Sequence, residues 1–192
     1  MPRSPCPAPP ASNATPGPAG SAPDSAQAPA STATGQAGDL LARRLARGVG
    51  RLFADLGAES LTEVPLKGGR RADVLAIDRK GRVLIAEIKS GPADFRSDNK
   101  WPEYQDWCDV FYFAVAEDFP RALLPDSTGL IIADAFSAAI IREAPEQPLA
   151  SARRKALTLR FARLAAARWR RLSEELGGPA APPEKDSATD PC

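Results

Sequence analysis

Residues 72–91 read ADVLAIDRKGRVLIAEIKSG, and this stretch decides the fold. Two apolar runs flank a polar segment containing Gly81, a pattern typical of two antiparallel strands joined by a tight turn. Each run nevertheless contains a carboxylate, Asp73 in the first and Glu87 in the second, and the second run ends in Lys89. Burying acids costs free energy unless they find partners. The hairpin therefore predicts part of the fold and raises the question of what its buried charges do.

The turn fixes how the two strands pair. A three-residue loop ending at Gly81, with this glycine in the left-handed conformation, places Asp78 opposite Arg82. Asp73 then falls opposite Glu87, and directly opposed residues have Cβ atoms about 4.5–5.5 Å apart. Two carboxylates this close repel each other. Protonation of one acid, or a divalent cation such as Mg²⁺ between them, would relieve the repulsion.

Lys89 is two residues beyond Glu87, so its side chain leaves the same face of the strand. There it could neutralise the acids, or orient and deprotonate a water molecule. The backbone carbonyl of Ile88 lies between them and is a further candidate metal ligand. The residues alone equally allow a solvated polar strip, in which the acids pair with Lys89 or Arg71.

Hydrophobic periodicity on either side of the hairpin predicts the remaining elements. The expected order is a helix, three strands, short helices, a strand, a pair of short strands and a helix. Their predicted positions are 40–56, a strand ending near Pro65, the two hairpin strands, short helices between 92 and 109, strands at 110–116, 129–134 and 138–143, and a helix at 151–173. This order predicts an α/β or α+β fold with a central mixed sheet flanked by helices.

Composition divides the 192 residues into three parts. Residues 1–38 are almost only Pro, Ala, Ser, Thr and Gly, and residues 174–192 are polar and acidic; both are predicted to be disordered. The folded domain is expected at 39–173. The N-terminus lacks the apolar core of a signal peptide and no run is long enough to span a membrane, which predicts a cytoplasmic protein.

The chain contains no histidine, and its three cysteines are far apart. Serine–histidine catalysis, cysteine–histidine catalysis and histidine-ligated metals are therefore excluded, and a zinc ribbon is not expected. Metal or acid–base chemistry must come from carboxylates, lysine and tyrosine. The segment 151–173 has eight basic residues and no acid, so its helix has either a solvated basic face or a surface that binds phosphates.

The spacing of Asp73 and the run Glu87-Ile88-Lys89 resembles the metal-binding pattern of the PD-(D/E)XK nuclease-like superfamily. More narrowly, the sequence GRRADVLAIDRKGRVLIAEIKSGPADFRSDNKWPEYQDWCDVFYFAVAEDFP, at 69–120, resembles the MmcB-like family of bacterial DNA repair proteins. The resemblance extends over about residues 40–145.

This resemblance implies a restriction-endonuclease-like core with Mg²⁺ or Mn²⁺ as cofactor. Asp73 and Glu87 would be metal ligands, and Lys89 the catalytic lysine. The sequence departs from the pattern in two places. Ala72 stands where the motif has proline, and the first helix lacks the glutamate that many members carry, for which Glu63 is a candidate substitute and a further candidate ligand.

The segment after Lys89 mixes cations with aromatic rings, a composition that suits nucleic acid. The residues expected to contact DNA are Arg96, Lys100, Tyr104 and Gln105. The two tryptophans of this segment, Trp101 and Trp107, could instead anchor a loop to the core.

We therefore expect a DNA repair protein that hydrolyses phosphodiester bonds in damaged or branched DNA with the help of Mg²⁺. The alternative is a non-catalytic module on the same fold that binds DNA or another protein. The arm at 1–38 is a candidate binding element for a repair-protein partner.

Overall fold

The structure is a computed structural model that describes residues 30–177, with side chains from residue 35 onward. It contains four α-helices, six strands and one short 3₁₀ helix within this range. Their bounds are α1 Ala30–Asp55, β1 Ala58–Pro65, β2 Arg71–Asp78, β3 Val83–Lys89, α2 Pro92–Ser97, α3 Pro102–Gln105, β4 Val110–Val115, the 3₁₀ helix Arg121–Leu123, β5 Gly129–Ala133, β6 Ala138–Arg142 and α4 Ser151–Glu175.

The six strands form one sheet in the order β1-β2-β3-β4-β5-β6. β1, β2 and β3 pair antiparallel, β3, β4 and β5 pair parallel, and β6 returns antiparallel to β5. Parallel neighbours need a crossover connection, and α2 with α3 supplies the one between β3 and β4. The predicted mixed sheet flanked by helices is confirmed.

Helices cover both faces of the sheet. α1 places the fully buried side chains of Leu45, Val49 and Phe53 against one face. α2, α3 and α4 cover the other face. There Leu157 of α4 packs into a second cluster of buried hydrophobic side chains. Because both faces are covered, β3, β4 and β5 are buried along their whole lengths.

The hairpin has the predicted register. Gly81 has a positive φ of 78°, and the backbone pairing extends from Ile77–Val83 to Val74–Ala86. One position further along, Asp73 and Glu87 are the next residues of their strands. There the paired backbone positions end, and the contact between the strands is made by a side chain. Asp73 Oδ2 accepts a hydrogen bond from the Ile88 N–H at 2.8 Å.

Two boundaries differ from the prediction. α1 begins at Ala30, so residues 30–38 are helical and not disordered, and α4 continues to Glu175. The segment at 30–38 lacks apolar periodicity, but it is rich in alanine, and extending an existing helix costs far less than starting one. The rest of the predicted disorder, at 1–29 and 178–192, and most of the proposed partner-binding arm lie outside the described residues.

Many basic side chains of α4 hold the fold together. Arg154 donates two hydrogen bonds to the buried carboxylate of Asp109 at 2.7 Å. Arg160 and Arg168 donate to backbone carbonyls of the edge strand β1, those of Pro65 and Thr62. These three arginines of the predicted basic surface therefore make internal contacts, whereas Lys155, Arg163 and Arg171 are exposed, and phosphate binding by this helix stays a prediction. Between residues 30 and 177, no helix combines the length and the apolar character needed to cross a membrane.

Candidate metal centre

The predicted site residues meet where β2 and β3 separate. Glu87 and Lys89 project from β3 on the same face, and Lys89 Nζ lies 3.7 Å from Glu87 Oε1. Lys89 Nζ also donates to Asp98 Oδ2 at 2.5 Å. Asp73 approaches from β2 through its bond to the Ile88 N–H. The hairpin therefore brings two carboxylates and one ammonium group together, as the register predicts.

One oxygen of this cluster is buried without a partner. Glu87 Oε2 is the single buried side-chain oxygen or nitrogen of the described residues that accepts or donates no hydrogen bond. Buried polar atoms are nearly always satisfied, and an exception calls for an explanation. An oxygen-binding divalent cation would provide the missing partner. The donor set thus fits Mg²⁺ or Mn²⁺.

The electrostatics of the two acids also favour a cation. Burial raises the pKa of Glu87 to about 8, with a further contribution from the charge of Asp73. Burial likewise raises the pKa of Asp73 to about 6, opposed by the hydrogen bond from Ile88 and the charge of Lys89. Both carboxylates are therefore under-compensated by the protein alone, and positive charge between them would stabilise their ionised forms.

Lys89 is held as an ammonium ion. Burial acts to lower its pKa, but the hydrogen bond to Asp98 and the charge of Glu87 outweigh burial and raise it. A lysine with a raised pKa suits charge stabilisation and water positioning better than proton abstraction. Asp98 was not predicted as its partner. The only signal for it is its place directly after α2, nine residues beyond Lys89.

Asp73 opens into a cleft between α1 and the strands β1 and β2. The cleft has a volume of about 730 Å³. It is lined by Asp39, Ala42, Arg43, Ala46, Arg47, Thr62, Glu63, Arg71, Asp73 and Ile88. Helical spacing predicts that Arg43 and Arg47 share a face, but their position across from Asp73 was not predicted.

Comparison with known proteins identifies the family. Residues 27–175 match the family described as DNA repair protein MmcB-like. The chain belongs to this family. A solved structure of a protein of unknown function from Silicibacter pomeroyi is 46% identical, with a TM-score of 0.68, over 73% of this chain and 97% of that one. No curated protein matches the chain significantly.

The family assignment confirms the MmcB-like resemblance and extends it. The match reaches beyond the expected 40–145 to include all of α1 and all of α4. A role in DNA repair follows from the family's description. The wider relation to the PD-(D/E)XK superfamily stays a prediction.

Glu63, the further candidate ligand, is engaged by another residue of this MmcB-like chain. Its carboxylate pairs with the guanidinium group of Arg71. It lines the same cleft as Asp73, and its charge contributes to the raised pKa of Asp73. Its backbone has a φ of 54°, which is uncommon for a residue other than glycine. Within residues 30–177, no group of three or more acidic, cysteine or histidine side chains is arranged to hold a metal.

The residues expected to contact DNA are only partly available. The ring of Tyr104 is buried, it stacks against Phe111, and its hydroxyl donates to the Arg71 carbonyl at 3.1 Å. Tyr104 is therefore a structural residue, and its predicted contact with phosphate does not fit this placement. Gln105 lines a separate small pocket beside Cys108.

Arg96 and Lys100 are exposed, and their contact with DNA stays a prediction. Trp101 packs between Phe111 and Phe113, with ring centroids 5.9 Å and 5.3 Å away. This tryptophan is the loop anchor that the sequence left open. The aromatic rings after the motif thus serve the core more than a ligand.

Proposed function

We propose that this MmcB-like protein is a metal-dependent phosphodiester hydrolase that acts on damaged or branched DNA in the cytoplasm. The observation that carries the proposal is the buried, unpartnered Glu87 Oε2 beside Asp73 and Lys89. An arrangement of this kind costs stability in the protein alone. It is expected where a bound cation completes the site.

Asp73, Glu87 and the backbone carbonyl of Ile88 would hold Mg²⁺ or Mn²⁺. When bound, the cation supplies Lewis-acid polarisation of a phosphodiester oxygen. Lys89, kept charged by Asp98, orients the attacking water and stabilises the negative charge that builds up on the phosphate oxygens. Asp98 is a positioning residue, since it acts on the reaction through Lys89.

A cleavage assay tests the proposal. Single-stranded, nicked and branched DNA would be incubated with the protein and Mg²⁺, Mn²⁺ or EDTA. We expect metal-dependent cleavage that falls at least about 100-fold in Asp73→Asn and Lys89→Met, because each substitution removes a charge from the centre. Asp118→Asn, at an exposed acid outside the site, is the matched control and keeps its activity.

One observation favours a second function, a DNA-binding module without turnover. The side chains of Glu87 and Lys89 are only 7% and 4% exposed, so little of the centre is open to a phosphate. The same cleavage assay, together with a measurement of DNA binding, separates the two functions. Binding of DNA without cleavage of any substrate, or equal cleavage by the wild type and both variants, would remove the hydrolase and leave the binding module.

A further inference from the structure

The cleft beside Asp73 has a cationic wall. Arg43 and Arg47 are four residues apart on α1, so they share one face and lie about 6 Å apart along the helix axis. The strands β1 and β2 form the opposite wall. Between the walls, Ala42 and Ala46 present only methyl groups. The result is an open groove whose two arginines lead towards Asp73.

These two arginines have charge to offer a ligand. Both are exposed, and neither forms an ion pair or a side-chain hydrogen bond with residues 35–177. The next arginine of the series, Arg51, is different because it donates to the carbonyls of Ala135 and Phe136. A helix that uses one arginine for the fold and leaves two facing a groove has a surface suited to an anion.

The acids of the cleft do not cancel this wall. Glu63 is neutralised by its pair with Arg71. Asp73 belongs to the candidate metal centre, where the proposed cation would offset its charge. Asp39, at an exposed position one turn before Arg43, is the remaining acid.

Size and lining restrict the ligand. The volume of about 730 Å³ falls within the usual range for a small-molecule cleft, about 300–1,000 Å³. A cleft of this size encloses about one drug-sized ligand, so it can hold one or two nucleotides of a single strand but cannot enclose the paired strands of a duplex. The lining contains no aromatic ring on which a base could stack, so the contacts would be to phosphates and independent of sequence.

We propose that this cleft holds an unpaired DNA strand, with Arg43 and Arg47 contacting successive phosphates on the way to Asp73. The inference rests on the proposed function, because it takes the strand as the substrate of that site. It adds the substrate class, a single-stranded segment such as an overhang or flap, and two positioning residues on α1.

The experiment measures binding without cleavage. Fluorescence anisotropy in EDTA would compare a labelled single-stranded oligonucleotide with the same sequence as a blunt duplex. For Arg43→Gln/Arg47→Gln we expect at least about tenfold weaker single-strand binding. The slope of log affinity against log salt should fall by about 1.4, or about 0.7 for each lost phosphate contact. Duplex affinity should change much less.

Arg44→Gln is the matched control. Arg44 is exposed on the same helix but lines a different groove, beside Glu117 and Asp134. We expect this variant to have the affinity and the salt slope of the wild type. Both Arg44→Gln and the double variant should unfold at the same temperature as the wild type.

Four outcomes would overturn the inference: an unchanged single-strand affinity in the double variant, an equal loss for single strand and duplex, an equal loss in Arg44→Gln, or no single-strand binding by the wild type. The fate of the hydrolase is decided separately. Loss of single-strand affinity in a protein that cleaves nothing would support the strand-binding cleft and reject the hydrolase. Cleavage with unchanged affinity would do the reverse.

Discussion

Glu87 is expected to destabilise the metal-free protein. Its carboxylate is buried opposite Asp73 with one oxygen unpartnered. Glu87→Gln keeps the shape and removes the charge, while Lys89 retains Asp98 as its partner. We expect the variant to be more stable than the wild type in EDTA at pH 7 by about 1–3 kcal/mol, because the raised pKa of Glu87 means that folding must protonate an acid that is ionised in the unfolded chain. Thermal unfolding in EDTA checks this.

The same measurement with Mg²⁺ tests the metal. Binding to the folded state alone raises the unfolding temperature of the wild type, and Glu87→Gln should lose most of this increase. Glu59→Gln, at an exposed acid on β1, is the control and should behave like the wild type under both conditions. A less stable Glu87→Gln variant in EDTA would contradict the account of a strained carboxylate pair.

Asp109 is a buried acid of the opposite kind, because every part of its carboxylate is satisfied. It accepts hydrogen bonds from the Val83 and Leu149 N–H groups at 2.7 and 2.8 Å, and from Arg154. Burial opposes ionisation, but these bonds outweigh it and lower the pKa of Asp109. Asp109→Asn removes the charge that pairs with Arg154, but Arg154 is 30% exposed and keeps its bonds to the Gly81 and Leu149 carbonyls, so the loss should be about 1–3 kcal/mol at pH 7. Urea unfolding measures the loss.

The lowered pKa also gives the sign of a pH dependence. The unfolded aspartate titrates near pH 3.9, so the stabilisation is complete above that pH and is lost as the pH falls through the folded pKa. The wild type should therefore lose its advantage over Asp109→Asn in acid. Asp126→Asn, at a fully exposed acid paired with Arg142, should leave the stability close to that of the wild type. An equal advantage of the wild type at pH 7 and pH 2.5 would refute this.

α1 approaches the β5–β6 turn so closely that only glycine fits at one position. A Cβ atom at Gly48 would lie 2.6 Å from the Ser137 carbonyl oxygen and closer still to that of Asp134. Backbone atoms cannot swing aside as a side chain can. We expect Gly48→Ala to lose about 1–3 kcal/mol through overpacking, measured by urea unfolding.

Gly38→Ala tests the same substitution where there is room. It lies on the same helix, and its new methyl group would meet only Ser90 Oγ at 3.6 Å. Alanine stabilises a helix interior by roughly 0.5–1 kcal/mol relative to glycine, so this variant should gain stability. Equal effects of the two substitutions would show that close approach at Gly48 is not what matters.

The parts of this structure that follow from sequence are those decided by local chemistry. Gly81 and the alternation around it determine the hairpin register, and that register brings Asp73 to Glu87. The start of α1 was misplaced because an alanine-rich extension has helix propensity without an apolar pattern. For Tyr104, the sequence shows only an aromatic ring near a motif. Its burial depends on stacking against Phe111, which belongs to β4, and local sequence does not reveal where that strand lies in the sheet.

The arginines that line the cleft are a second feature that sequence alone could not place. Spacing places Arg43 and Arg47 on one face of α1, but the direction of that face depends on how the helix packs. Leu45, Val49 and Phe53 lock α1 onto the sheet, and only this packing turns the arginines towards Asp73. The inference about the substrate strand therefore rests on which residues line one cleft, and no local pattern in the sequence could supply that.

The two long helices belong to the folded unit as much as the sheet does, and α4 offers a direct test. Ending the chain at residue 150 would remove Leu157 from the core and leave Asp109 without Arg154. It would also uncover the β1 carbonyls. The broken ion pair alone costs about 3–5 kcal/mol and the lost leucine about 1.5–3 kcal/mol. These losses approach the whole stability of a typical domain, about 5–15 kcal/mol.

We expect this truncation to lack a cooperative thermal transition. A chain ending at residue 177, which keeps all of these contacts, should unfold like the full-length protein. A cooperative transition in the shorter chain would show that the sheet with α1, α2 and α3 folds by itself and that α4 is an appendage.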